Sequence, residues 1–391
     1  MPDDLSSILK GLPKAIREAV DIRPMHQVID PYDIRLPSGI MSMDKELKGG
    51  LPGGTLTQIF GPEGIGKDYL SQLFMASNQR MYGDKSNIFY ITFGYYPDRD
   101  FMRWSGVQLP YSDEELERMK IPFDGKSDKK LEEPDIWTDA VRGKSLGNVL
   151  FIGLDAAGKD NPAETLLQTA ISLVQSNKFQ LGIINELGSG ETADNTKKML
   201  TETARMATWA SLLSDFCRKF YTAVRAYGND EDGVTKPNET RVLMLNPVRA
   251  NTDANSAKYV KYTQPGGHAL KHAKVIDIHL DRRGKIRKGT TVVGKTIKWK
   301  IGKGKLGIHE GGEGEYDFLH DSGVDLMRDL IKVGKVVKTV QAGKYYYILG
   351  RKEPEDRIMG GEEGLIAYLH ANPEVHEELR LATLEALKGG N

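Results

Sequence analysis

"GPEGIGKDYL", residues 61–70, decides how the rest of the chain is read. It keeps the phosphate-loop spacing G-x-x-x-x-G-K-[ST] through Gly61, Pro62, Glu63, Gly64, Ile65, Gly66 and Lys67. Asp68, followed by Tyr69, then stands where a hydroxyl belongs. "TLTQIF" before the loop reads as a strand and "DYLSQLFMASNQRMY" after it as a helix. A phosphate site needs that order: glycines let backbone N–H groups curl around phosphates, and the helix N-terminus favours negative charge. Lys67 is placed to reach the β- and γ-phosphates. Asp68 is the anomaly. A lone carboxylate beside a triphosphate repels it, so Asp68 needs either Mg²⁺ or Lys67 as a partner.

Outward from the loop, "NIFYITF", "NVLFIGL", "LGIINEL" and "RVLMLNPV" are four further strands, the first two of these read as buried. Helical spacing fills the intervals at "PAETLLQTAISLVQS" and over residues 197–222. Alternation of this kind implies an α/β fold, a mostly parallel twisted sheet with helices on both faces. Residues 1–37 hold a helix at 4–22 with Leu5, Ile8, Leu9, Leu12, Ile16, Ala19 and Val20 on one stripe. Such an arm packs either on its own core or on a neighbouring subunit. The core is drawn over residues 38–307, with polar insertions near 109–145 and 227–238 that are either solvated loops or docking elements. Residues 308–391 read as a small α+β domain: a helix, two short strands, then two helices split at Asn372 and Pro373.

The chain has 391 residues, 54 basic and 54 acidic, so no global field draws it to nucleic acid or membrane. Any such affinity must come from a local patch. The single cysteine, Cys217, lies in the apolar-periodic run "ATWASLLSDFCRKF" and reads as a buried helix residue rather than a reactive thiol. The N-terminus lacks the charged-then-apolar order of a secretory signal, and no segment approaches the ~18 apolar residues of a membrane span. A cytoplasmic, DNA-associated protein is expected.

The resemblance is to the RecA-type recombinases, including their phage UvsX-like branch. "PSGIMSMDKELKGGLPGGTLTQIFGPEGIGKDYL" is similar to the entry of that family's ATPase core. "FYITFGYYPDRDFMRWSGV", "LGIINEL", "ETARMATWASLL", "MLNPVRA" with "GGHALKHAKVIDIHLDRR", "VVGKTIKWKIGKGKLG" and "ANPEVHEELRLATLEAL" follow in the family's order. The resemblance implies a RecA-like P-loop core using ATP and Mg²⁺. It also implies partners: single-stranded DNA, homologous duplex DNA, and further copies of the chain in a helical filament.

The departures gather at the chemistry. Asp68 replaces a Ser or Thr, Asn185 replaces the Walker B aspartate, and Pro247 replaces a γ-phosphate-sensing glutamine. The family's glutamate falls on Phe93 or Gly94, and no acid occurs between Ile88 and Pro97. Two carboxylates still stand near the loop, Asp68 as a Mg²⁺ ligand beside Asn185, and Glu186 to orient water. They either rebuild hydrolysis at new positions or mark a site that only binds; loss of binding is the third reading.

By the same resemblance, Asp98 and Phe101 contact adenine. Lys303 and Lys305 reach a neighbour's triphosphate, unless they merely belong to a solvated basic strand. The first DNA loop, about residues 188–199, holds Lys197 and Lys198 for phosphates, with Met199 or Leu200 as the apolar wedge between bases. The second, about 249–267, interleaves Lys258 and Lys261 with Tyr259 and Tyr262 and returns through Gly266 and Gly267. Cations alternating with flat rings suit single-stranded DNA, though "KYVKY" is also an ordinary amphipathic strand. Arg205 and Arg249 fall at family positions near the DNA backbone. The implied activity is DNA-dependent ATP turnover, weak or altered, driving homologous pairing and strand exchange. The alternative is a non-hydrolysing filament or mediator protein that binds DNA.

Overall fold

A computed structural model describes residues 13–14, 30–112, 114–115, 147–153, 162–190, 206–225, 228–229, 235–250, 262–263 and 267–389. All but residues 13–14 of the expected N-terminal helix, and most of the first insertion, therefore lie outside the described residues.

The five expected strands are Leu56–Gly61 (β1), Asn87–Thr92 (β2), Asn148–Ile152 (β3), Leu181–Asn185 (β4) and Arg241–Pro247 (β5). Ile276–Lys288 (β6) joins them in parallel beside β1. Thr291–Lys303 (β7), Glu313–Leu319 (β8) and Gly323–Val324 (β9) then extend the sheet antiparallel. The spatial order is β9-β8-β7-β6-β1-β5-β4-β2-β3. Met41–Glu46 (α1), Lys67–Tyr82 (α2), Arg99–Trp104 (α3), Pro162–Gln175 (α4), Met206–Arg225 (α5) and Gly267–Ala273 (α6) accompany this sheet.

The period-2 alternation of each central strand explains the layers. On β5, Leu243 and Leu245 pack with Leu70, Leu73 and Phe74 of α2. Val242 and Met244 face the other way, onto Leu166 and Ile171 of α4 and Leu213 and Phe220 of α5. Both faces are covered, which is why these strands read as unbroken apolar runs. Each large side chain so buried contributes about 1.5–3 kcal/mol. A Cβ on Gly182 would come within 2.0 Å of Phe89 Cζ, so even Gly182→Ala would force β4 and its neighbours to shift.

Two expectations change. Among the described residues β3 is the edge strand, paired with β2 alone, with Leu150 44% and Phe151 38% exposed. The boundary drawn after residue 307 falls inside the sheet, since β8 and β9 continue the antiparallel extension begun by β7. The terminal unit begins instead at Leu326–Val336 (α7), followed by the hairpin Val340–Ala342 with Tyr346–Ile348, Gly361–Ala371 (α8) and Pro373–Gly389 (α9). Its own core includes Leu330, Ile331, Leu365 and Leu379, and it closes onto α1 through Met41. Ser42 N donates to Asp329 Oδ2 at 3.0 Å across that junction.

Cys217 is buried in α5, and burial alone pushes its thiol up to about 12. That fits an inert packing residue. Among the described residues no helix is long and apolar enough to cross a membrane.

Candidate nucleotide and DNA site

The loop leaves the carboxyl end of β1, in the middle of the sheet, where α/β folds place ligands. Ile65 is buried in the core and pins the turn, while Glu63 and Gly64 stay exposed. Gly66, the residue before α2, has φ +107°, a conformation open to glycine and strained for other residues. A Cβ on Gly64 would meet nothing within 4 Å. Lys67 Nζ curls back to donate to Gly61 O at 3.3 Å and Pro62 O at 3.2 Å. It also lies 3.8 Å from Glu186 Oε1. A cradle of backbone N–H groups with one buried ammonium suits a nucleotide's phosphates.

Asp68 does not pair with Lys67. Lys67 pairs with Glu186 instead. Asp68 Oδ1 accepts from Asn185 Nδ2 at 2.7 Å, and Oδ2 accepts from the Tyr95 hydroxyl at 3.3 Å. Asn185 Nδ2 also donates to the Tyr90 hydroxyl at 2.8 Å, so a chain of neutral groups holds the carboxylate. Burial, then the charge of Asp68, pushes Tyr95 up to about 12 and Tyr90 well above its ordinary value. Both phenols therefore stay protonated and able to donate.

The oxygens gathered here suit Mg²⁺, which takes one or two carboxylates, waters and phosphate oxygens rather than a full protein cage. Among the described residues Asp68 Oδ2 accepts only from the exposed Tyr95, which leaves it the more accessible of the two oxygens to a cation. Asn185 acts through its amide nitrogen as a clamp on Asp68. Among the described residues no three acidic, histidine or cysteine side chains cluster to hold a metal alone.

The adenine side is more packed than expected. Asp98 caps α3, its Oδ1 accepting from Asp100 N at 2.9 Å and Phe101 N at 3.1 Å. Phe101 stacks on Trp104 with ring centroids 5.4 Å apart, so one of its faces is already covered. Tyr69, grouped with the loop from sequence, turns its side chain into the core. Its ring meets Phe318 edge-on at 4.9 Å and its hydroxyl accepts from Val324 N at 3.2 Å. Only its backbone remains available to a phosphate.

Lys303 and Lys305 stand away from their own chain's loop. Lys303 pairs in register with Asp277, which pairs with Gln58, at the opposite end of β1 from Gly61. Both amines rest on the last carbonyls of α6: Lys303 on Lys271 O and on His272 O at 3.3 Å, Lys305 on His272 O at 3.5 Å.

Of the expected DNA-binding residues, Lys197, Lys198, Met199, Arg205, Lys258, Tyr259, Lys261 and Gly266 lie outside the described residues. The root of the second loop is described. Arg249 pairs with Thr263 and Ala250 with Tyr262, a two-stranded ladder that brings both ends of the loop together. Gly267 opens α6 with φ +68°, packed against Ala210 of α5. Both loops thus leave from the site's own strand ends, the first beyond β4 and the second beyond β5.

Sequence reasoning missed Tyr95, Tyr90 and Lys295. Lys295 Nζ, from β7, donates to Gly64 O of the loop. Tyr95 had a usable signal, because residues just past a strand's carboxyl end line the site in parallel sheets.

Protein RecA of Lactobacillus johnsonii is 22% identical, over 98% of this chain and 88% of that one. Protein RecA of Aquifex aeolicus is 24% identical, over 95% and 89%. Protein RecA of a Nocardioides species is 23% identical, over 99% and 92%. A crystal structure of the RadB recombinase matches 73% of this chain and 97% of its own at 14% identity, with a TM-score of 0.45. No family model matches. The chain has an α/β core built on a mostly parallel sheet, and its likeness to RecA proteins is weak in identity but runs nearly from end to end.

Proposed function

We propose that this protein is a RecA-like recombinase, cytoplasmic and DNA-associated. It binds ATP with Mg²⁺ at the 61–68 loop, assembles into a filament on single-stranded DNA, and pairs that strand with homologous duplex. The observation that carries the reading is spatial. The phosphate loop, Glu186 and the roots of both expected DNA loops share one edge of the sheet, at the ends of β1, β4 and β5. Nucleotide and DNA occupancy are then coupled through short stretches of backbone.

On this reading Lys67 exchanges the Gly61 and Pro62 carbonyls for phosphate oxygens. Asp68 keeps its Asn185 bond on Oδ1 and offers Oδ2 to the metal. What Mg²⁺ supplies when bound is neutralisation of charge on the β- and γ-phosphates. Glu186, released as Lys67 turns to phosphate, orients the attacking water. Lys303 and Lys305 leave α6 for the neighbouring protomer's nucleotide, as trans cations that stabilise transferred charge.

A second reading, binding without turnover, is favoured by two observations: Glu186 is already paired with Lys67, and no acid occurs between Ile88 and Pro97. The deciding experiment measures ATP turnover with and without single-stranded DNA, and strand exchange in ATP and in a nonhydrolysable analogue. DNA-stimulated turnover supports the first reading. Pairing with no turnover supports the second. No binding of single-stranded DNA under any nucleotide condition would overturn both.

A further inference from the structure

No acid occurs between Ile88 and Pro97 at the exit of β2, and position 68 of α2, after the loop lysine, lacks a hydroxyl. Both chemistries are nevertheless present, at exchanged positions. α2 contributes the carboxylate of Asp68, and the β2 exit contributes the hydroxyl of Tyr95, which donates to Asp68 Oδ2 at 3.3 Å. We propose that Tyr95 is a positioning residue of the nucleotide–Mg²⁺ site, aiming Asp68 Oδ2 at the metal. The proposal deepens the nucleotide reading above and rests on it.

Three observations support a built arrangement rather than a chance surface contact. The turn that presents Tyr95 is tied down: Thr92 Oγ1 donates to Tyr95 O at 3.0 Å and accepts from Gly94 N at 3.2 Å. That turn in turn grips β4, since Phe93 N donates to Asn185 O at 2.7 Å. Asn185 is the residue that holds the other oxygen of Asp68. One short segment therefore fixes both donors to the carboxylate.

A carboxylate oxygen has two lone pairs. A donor on one of them orients the group and leaves the second for a cation. Hydrogen bonds to a ligand carboxylate typically change metal affinity 10- to 100-fold. Tyr95 is 66% exposed and its bond is long, which places the expected effect below that range.

The test compares wild type with Tyr95→Phe, which removes only the hydroxyl. Binding of a fluorescent ATP analogue is followed as Mg²⁺ is titrated. The expected result is a Mg²⁺ half-saturation raised about 3- to 10-fold, with affinity in excess chelator unchanged. Tyr96→Phe, at an equally exposed neighbour that makes no such bond, should leave the curve in place. In an Asp68→Asn background, Tyr95→Phe should add nothing, because its effect passes through that carboxylate. An unmoved Mg²⁺ curve in Tyr95→Phe, or a shift that persists in Asp68→Asn, overturns the proposal. If wild type itself binds no nucleotide, the underlying reading fails instead, and the two failures are distinguishable.

Discussion

Two lysine–carboxylate pairs stand at opposite ends of β1, and they are built differently. At the amino end, Lys274 Nζ lies 2.5 Å from Asp277 Oδ2 with side chains 3% and 10% exposed, and donates to Gln58 Oε1 at 2.7 Å. At the carboxyl end, Lys67 Nζ lies 3.8 Å from Glu186 Oε1, whose side chain is 28% exposed. The first pair is short and buried, its ammonium shared between Asp277 and Gln58. The second is loose, with the ammonium also leaning on backbone carbonyls. A tight buried pair holds a fold together, because neither charge tolerates losing its partner. A loose pair at a strand's carboxyl end can change partners when a stronger anion arrives.

The largest effect should come from breaking the tight pair. Lys274→Met leaves Asp277 buried without its cation and should lower stability by about 3–5 kcal/mol, read from urea denaturation. A loss under about 1 kcal/mol would show that the two ends do not differ in kind. Next in size, Glu186→Gln should reduce DNA-stimulated ATP turnover by on the order of 100-fold with little change in the urea midpoint. Unreduced turnover would remove Glu186 from the chemistry. Lys67→Ala should weaken nucleotide binding roughly 10- to 100-fold, the range for hydrogen bonds to charged groups, again without a large stability change. If Lys67→Ala unfolds the protein while Lys274→Met does not, the comparison is inverted.

The fold was legible because period and run length encode it locally. "VLML" in β5 alternates Val242 and Met244 against Leu243 and Leu245, and every one of them is apolar, so burial on both faces could be read directly. β3 has the same texture but an edge position, which depends on strand order rather than on its own residues. The phosphate loop was legible for the same local reason. The partners of Asp68 were not, because Tyr95 is 27 residues away and Asn185 117 residues away. They meet only because β4 lies between β5 and β2. The side chain of Tyr69 turns from the loop for a helical reason: two residues past Lys67 is a turn of about 200° about the helix axis, enough to aim one side chain at the loop and the other into the aromatic core.

The smallest effect is expected at Lys303, and the reason lies in where its amine already sits. In the single chain it rests on the carbonyls of Lys271 and His272, at the end of the helix that begins where the expected second DNA loop ends in sequence. A cation at a helix C-terminus is worth about 0.3–1 kcal/mol. Reaching a neighbour's triphosphate forfeits that contact, so only the difference drives assembly. Lys303→Ala should therefore weaken nucleotide-dependent filament formation by roughly 3- to 10-fold, less than the full strength of a charged hydrogen bond. Light scattering against protein concentration, with and without nucleotide, reads the change. Because the same mutation frees the end of α6, assembly on DNA without nucleotide should shift far less. Equal losses with and without nucleotide would make Lys303 a strut for α6, and unchanged filaments would leave it on a solvated basic strand.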